Sequence, residues 1–442
     1  MPLDRIVKGD RIIWIIAILM AIISVVAVFT SGVTGLASSS ELAAHVSVYR
    51  KQFLIAALGI ALMFGISLIK IRCIRILTPL LFAVSLLMLF MLLFTKFGEV
   101  RNDAGRALKI GILPTIQVYE LLKVTLVLFI AWALEKFDGK METFKDFCIK
   151  ILGWVALVCV MVMAGSVSSA ILLGGISFLM MILMNVRGKN ILFTILIAVA
   201  AIMLLIAGYT IDHSIQVRKA AKAGLDTEKV EAKVKLFNRF GTVINRFKRH
   251  GETLDLSTLS PKELREYNDM HMQADNAKIA IVEGKIFGKG IGRGTHKYNL
   301  PLAYSDFIYA SIIEETGIIG GTFIIILYLI FLYRCIALSK DCNTIFSRAV
   351  VLGFGFLITI QAFLNMAVNV GLFPITGQTL PMISHGGNAY LCFCIAIGIV
   401  LSVSRTVQIR KAQEDAESLI VEEDEKSGQT DVNEQIDIES NE

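Results

Sequence analysis

Residues 76–94 read ILTPLLFAVSLLMLFMLLF, from Ile76 to Phe94, without one charged side chain. About 20 apolar residues is the length an α-helix needs to cross the hydrocarbon of a bilayer. Comparable runs recur at about 12–32, 52–70, 74–95, 117–135, 149–164, 167–185, 191–210, 306–333, 347–371 and 380–404. The chain has 442 residues, 55% hydrophobic and 18% charged, with a mean hydropathy of +0.69. Soluble domains carry about 25% charged residues. These figures exclude a disordered chain, a disulfide scaffold and an ordinary cytosolic enzyme. The fold class they predict is all-α: a polytopic membrane protein with ten transmembrane helices and one large extracytoplasmic loop, 211–305, between helices 7 and 8.

The net charge of +6 hides a split. Residues 412–442 hold 12 acidic side chains and one basic, Lys426. A basic body with an acidic tail points to an anionic partner, and bilayer headgroups are the simplest one. Basic residues in short loops set orientation. The set that includes Arg5, Arg72, Lys140, Arg187, Arg334 and Arg405 holds 18, against 6 on the opposite flanks. The richer set is therefore expected in the cytoplasm with both termini. Residues 1–11 then form a cytoplasmic N-terminus, 12–410 the membrane domain, and 411–442 a cytoplasmic tail too acidic and too poor in aromatics to order by itself. The first apolar run is too long for a cleaved signal peptide, and 32–40 offers no clear A-x-A site.

The 211–305 segment begins basic, with Arg218, Lys222, Lys233, Arg239 and Arg249 among Phe237, Phe240 and Phe247. That pattern suits a helix on a membrane surface, either simply anchored or attracting an anionic lipid. Nucleic acid is no expected partner of an external loop. Next, Gly288, Gly290, Gly292 and Gly294 alternate with Lys289, Ile291 and Arg293, with Lys278 upstream. This is either a flexible loop or a cradle whose amides meet phosphate oxygens. Asp306 then opens the eighth run, where it could cap a helix or face lipid headgroups. Glu314 and Glu315 lie deeper, and paired carboxylates inside a span are costly enough to suspect function.

Two further polar sets stand out. Gln117, Glu120 and Lys123 share a helix face at the start of the fourth run, where Glu120 and Lys123 could pair. Gln361, Asn365 and Asn369 form a stripe along the ninth, which can glue helices together. The stripe continues into a Pro/Gly-rich connection from Gly371 to Gly387 that includes Ser384. Such backbone survives at membrane depth only when buried in protein or lining a wet cavity. Cys392 and Cys394, two apart, are expected as packing residues. The six histidines have no zinc-like spacing, and no nucleotide-hydrolysis motif is present.

These blocks together resemble the SEDS family (shape, elongation, division and sporulation), whose known members include FtsW and RodA. The resemblance rests on Gln361 through Gly387, on Ile286-Phe-Gly-Lys-Gly with Ser305-Asp-Phe-Ile-Tyr and Glu314-Glu-Thr-Gly, and on Gln117…Glu120-Leu-Leu-Lys123. It implies a peptidoglycan glycosyltransferase of the inner membrane that polymerises lipid II beside a class B penicillin-binding protein and other cell-division membrane proteins. The alternatives are a lipid II flippase, a RodA-type elongation polymerase and a non-catalytic scaffold. The acidic tail and the Ala303-Tyr-Ser-Asp-Phe context favour the FtsW type, hence the septum. Asp306 matches the family's essential aspartate. Glu120, Lys123, Lys278, Lys289, Arg293, Gln361, Asn365, Asn369 and Ser384 become the substrate-binding candidates. A divalent cation, Mg2+ or Mn2+, could assist departure of the pyrophosphate. Departures from the family pattern fall at Ala107, Ser166, Leu302, Tyr304 and His385.

Overall fold

The computed structural model describes residues 9–32, 39–95, 98–101, 104–108, 116–139, 143–222, 241, 274–295 and 305–439. Much of the basic surface segment, including Lys233, Arg239 and Arg249, lies outside them, as do Leu302 and Tyr304. The described chain is almost wholly helical. Helices α1 (Arg11–Gly32), α2 (Ser39–Leu68) and α3 (Ile71–Phe94) come first. A small antiparallel sheet follows, of β1 (Gly98–Arg101), β2 (Ala104–Leu108) and β3 (Ile116–Gln117), in the order β1-β2-β3. It leads into α4 (Val118–Lys136). Then α5 (Phe144–Phe147) passes through a π turn, Cys148–Leu152, into α6 (Gly153–Met163), α7 (Val167–Leu183) and α8 (Gly188–Lys222). After a short helix α9 (274–284) come α10 (Ile308–Lys340), α11 (Ile345–Asn369) and α12 (Asn388–Glu439).

Among the described residues, eight helices are long and apolar enough to cross a membrane. Two further expected spans fall on α4, which carries Glu120 and Lys123, and on α7, which is only 17 residues long. The last expected span, 380–404, starts late: 380–387 is not helical, and α12 begins at Asn388. At its other end, α12 continues as helix through the acidic stretch to Glu439, where composition predicts disorder. Extending an existing helix avoids the cost of nucleating one.

Burial sorts the helices. In their most apolar windows α11 and α12 are 78% buried, whereas α8 buries nothing. Helix α4 is apolar apart from a few polar side chains, Glu120 and Lys123 among them, and is buried along nearly its whole length, against α3, α7, α11 and α12. The center of the bundle is therefore α4, α11 and α12, and α8 lies at its edge. Cys392 and Cys394 are both buried there.

The end of the bundle opposite Asp306 is tied by charge. Asp10 accepts the amides of Ile12 and Ile13 at 2.9 and 3.3 Å, capping α1, and its other oxygen pairs with Arg334 of α10. Its own amide donates to Ser404 of α12 at 2.8 Å. One buried residue thus joins three helices, two through its carboxylate and the third through its amide.

Candidate functional site

Asp306 lies one turn before α10. The cap position of that helix is Phe307, which offers no side-chain cap. The amide of Ala310 instead donates to Asn369 Oδ1 at 3.0 Å. The backbone at Asp306 is held from the other side. Its carbonyl accepts from Asn365 Nδ2 and Asn369 Nδ2, each at 3.0 Å. The carbonyl of Ser305 accepts from Ser384 Oγ at 2.7 Å, and Ser305 Oγ donates to the Asp306 carboxylate at 3.0 Å. Asn365, Asn369 and Ser384, candidates for touching substrate, here fix the backbone that carries Asp306. Asp306 itself is only partly buried.

Behind this lies a buried polar chain centered on Lys123. Its ammonium, 1% exposed, donates to Glu120 Oε1 at 2.7 Å, Gln361 Oε1 at 2.9 Å and Gln378 Oε1 at 3.0 Å. An ammonium has three protons, and all three are used. Gln378 passes the chain to Ser169 Oγ at 2.9 Å, which meets Ser166 Oγ at 2.9 Å. Gln361 Nε2 donates to the Thr379 carbonyl at 3.1 Å, and Asn365 Nδ2 to the Gln378 carbonyl at 2.7 Å. The 370–387 connection is thus sewn to α4, α7 and α11 by side chains that satisfy its peptide groups. That is the condition for irregular backbone inside a membrane protein. The Glu120–Lys123 pair and the helix-gluing stripe are both present in this arrangement. Gln378 and Ser169 belong to this network, and sequence reasoning named neither as a candidate. A glutamine in a Pro/Gly-rich connection between two spans was the available signal.

His385 takes part in a second string. Its Nδ1 is 2.7 Å from Gln52 Oε1, Gln52 Nε2 donates to Ser24 Oγ at 2.8 Å, and Ser24 Oγ donates to the Ile383 carbonyl at 2.8 Å. These bonds tie α1 and α2 to the same connection.

The glycine-rich segment is neither slack nor an open ring of amides. It is laced into a break in α10. Gly317 has φ 73° and ψ −175°, a conformation essentially reserved for glycine. The break frees the carbonyls of Glu314 and Glu315, and the amides of Ile318 and Ile319. Lys289 N and Gly290 N donate to the two carbonyls, both at 2.9 Å. Ile318 N and Ile319 N donate to the carbonyls of Lys285 and Ile286, at 3.0 and 3.4 Å. Four peptide groups that lose their helical partners therefore all regain one, as buried backbone requires. The two backbones approach so closely that a Cβ on Gly317 would lie 2.1 Å from the Ile286 oxygen, and one on Gly288 2.2 Å from the Glu315 oxygen. Gly317→Ala is expected to cost more than the roughly 1–3 kcal/mol of backbone strain, because a main-chain clash adds to it. A clear drop in the thermal midpoint of the detergent-solubilised protein checks this.

Glu314 explains its own burial. It is 1% exposed and accepts from Lys289 Nζ at 2.9 Å, Thr295 N at 2.6 Å and Thr295 Oγ1 at 3.1 Å. Lys289 also pairs with Glu283. Burial alone would lower the Lys289 pKa, but the hydrogen bonds and charges of Glu283 and Glu314 more than reverse this and raise it. Lys289 thus serves as a clasp between loop and helix. Arg293 and Lys278 are exposed. Lys278 faces Asp275 at 3.6 Å, and its stem lies against Gly371, two residues beyond Asn369. Among the described residues no three His, Cys, Asp or Glu side chains gather as metal ligands.

A family model described as "Cell cycle protein", for FtsW, RodA and SpoVE, matches residues 10–222 and 257–409. Stage V sporulation protein E of Bacillus subtilis (strain 168) is 27% identical over 360 residues, 80% of this chain and 86% of that protein. A protein of Geobacter metallireducens named probable peptidoglycan glycosyltransferase FtsW is 26% identical over 409 residues, 91% of this chain and 96% of its own length. Among solved structures, a chain from a peptidoglycan synthase complex superposes with TM-score 0.58 at 21% identity, covering 90% of this chain and 98% of that one. The rod shape determining protein RodA of Thermus thermophilus gives TM-score 0.55 at 18% identity, with 90% and 97% covered. These two likenesses show the fold.

Proposed function

The chain belongs to the FtsW/RodA/SpoVE family of cell cycle proteins, and from that membership we propose that it is a peptidoglycan glycosyltransferase that polymerises lipid II. The observation that carries the reading is Asp306: a partly buried carboxylate on a backbone fixed by Asn365, Asn369 and Ser384. The 4-hydroxyl of one lipid-linked GlcNAc attacks the anomeric carbon of another lipid's MurNAc. The new C–O bond forms as the bond from that carbon to the pyrophosphate oxygen breaks, with inversion. Asp306 takes the hydroxyl proton, the role of a general base.

The leaving pyrophosphate needs positive charge beside it. Of the four basic candidates, Lys123 is buried in its own network and Lys289 is clasped by two carboxylates. Lys278 and Arg293 are the exposed pair. Lys278, lying against Gly371, reaches the segment that Asn369 joins to Asp306. We assign these two to the leaving group. The reaction is placed on the extracytoplasmic side, with both termini in the cytoplasm, as the loop charges direct. A class B penicillin-binding protein at the division septum is the proposed partner.

The test is reconstitution in vesicles with that partner and fluorescent lipid II, reading polymer length and lipid translocation together. Polymer without accelerated translocation is the expected result. Translocation with no polymer would replace the enzyme by a flippase. A wild-type protein that does neither, yet still recruits the partner, would make it a scaffold.

A further inference from the structure

At the end of the bundle opposite Asp306, a cavity of about 360 Å3 opens between the first turn of α3, the first turn of α11 and α12. Three arginines line it: Arg72 and Arg75 from α3 and Arg410 from α12. Arg75 pairs with Glu135 at 3.0 Å. Arg410 donates to the Asp341 carbonyl at 2.8 Å and stands 3.2 Å from Glu414. Arg72 is exposed, and among the described residues no carboxylate pairs with it.

The helix ends add to this field. A helix N-terminus carries partial positive charge and prefers acidic residues in its first turn. Neither α3 nor α11 has one there, and the α3 cap residue, Lys70, provides no side-chain acceptor. The α3 N-terminus and three arginines thus line one hollow, beside the α11 N-terminus, where Thr344 Oγ1 accepts the Ser347 amide at 3.2 Å. Arg72, in the first turn of α3, opposes its dipole unless an anion lies beside it, whereas Arg75 already has Glu135. The remaining wall is mixed: Ile71, Phe346, Val403 and Val407 give it an apolar side, and Asn343, Thr344, Ser347 and Thr406 a polar one. A phosphate can meet the arginines and the polar side, and the apolar side suits the glycerol root of a lipid.

We propose that this cavity binds a phosphate-bearing anion, the headgroup of an acidic phospholipid, with Arg72, Arg75 and Arg410 around the phosphate. The site is separate from the proposed catalytic end, and its test does not depend on glycan synthesis. Arg72→Gln is the chosen variant, because Arg72 is exposed and its loss leaves no buried charge. Lys189→Gln, in the first turn of α8 and outside the cavity, is the control. Wild type and both variants are placed in nanodiscs of phosphatidylcholine with a minority of phosphatidylglycerol, re-extracted and weighed by native mass spectrometry. Arg72→Gln is expected to retain about fivefold less phosphatidylglycerol than wild type, the equivalent of about 1 kcal/mol for one basic side chain at an anionic surface. Lys189→Gln is expected to match wild type. A second arm adds inorganic phosphate to lipid-depleted protein and follows hydrogen exchange at 71–75 and 344–347. Protection there, lost in Arg72→Gln and without lipid retention, would keep the site and assign its phosphate to solution. Equal retention by wild type and Arg72→Gln with no phosphate protection would overturn the proposal, as would an equal loss in Lys189→Gln.

Discussion

Asp306→Asn will lower the rate of glycan-strand synthesis by a factor of about 100 to 10,000, the contribution of a positioned general base. The same variant will melt at nearly the wild-type temperature. Both halves follow from the geometry. The groups that fix this position act on backbone carbonyls, through Asn365, Asn369 and Ser384. The substitution leaves those carbonyls in place. An asparagine oxygen can still accept the Ser305 hydroxyl that meets the carboxylate at 3.0 Å. The negative charge and the capacity to take a proton are lost. Initial rates with labelled lipid II, beside a thermal melt, make the measurement. A variant that keeps more than about a tenth of the wild-type rate would remove Asp306 from the role of base.

Lys123→Met is expected to be the most destabilising single change, at about 3–5 kcal/mol, the cost of breaking a buried ion pair by removing one partner. Methionine fills the same channel but supplies no proton. Glu120 Oε1 and the side-chain carbonyls of Gln361 and Gln378 would all lose their donor. Glu120 Oε2 already lacks a hydrogen bond. Because Gln378 also anchors the 370–387 connection through Ser169, activity should fall along with stability. The double variant Glu120→Gln with Lys123→Met should recover part of the loss, since it removes the orphaned charge. Denaturant unfolding in mixed micelles would show both effects. A single Lys123→Met variant as stable as wild type would mean that the network contributes nothing net.

The two predictions separate what was legible in the chain from what was not. Asp306, Glu120 and Lys123 could be marked as unusual because charges are costly within or at the ends of apolar runs. Their roles could not be read the same way. The pairing of Glu120 with Lys123 spans three positions of one helix, and helical spacing alone brings the two together. The bonds from Lys123 to Gln361 and Gln378 cross more than two hundred positions of sequence, and no periodicity encodes them. The polar stripe Gln361, Asn365 and Asn369 was visible as a stripe. That Asn365 and Asn369 converge on one peptide oxygen depended on where α10 starts.

The alternating glycines make the same point more sharply. Sequence could say only that the backbone there is free to take unusual angles or to approach something closely. The partner was a second glycine, Gly317, nearly thirty positions away, where α10 breaks and hands over its carbonyls and amides to the loop. By itself, then, the sequence determined the bundle. Burying apolar runs and keeping charges out of hydrocarbon are local demands that each stretch of about 20 residues must meet on its own. Only the tertiary structure decided which polar groups are consumed in holding the backbone and which, like Asp306, Lys278 and Arg293, remain at the surface of the site. A buried donor or acceptor takes whichever partner the packing of distant helices brings within reach.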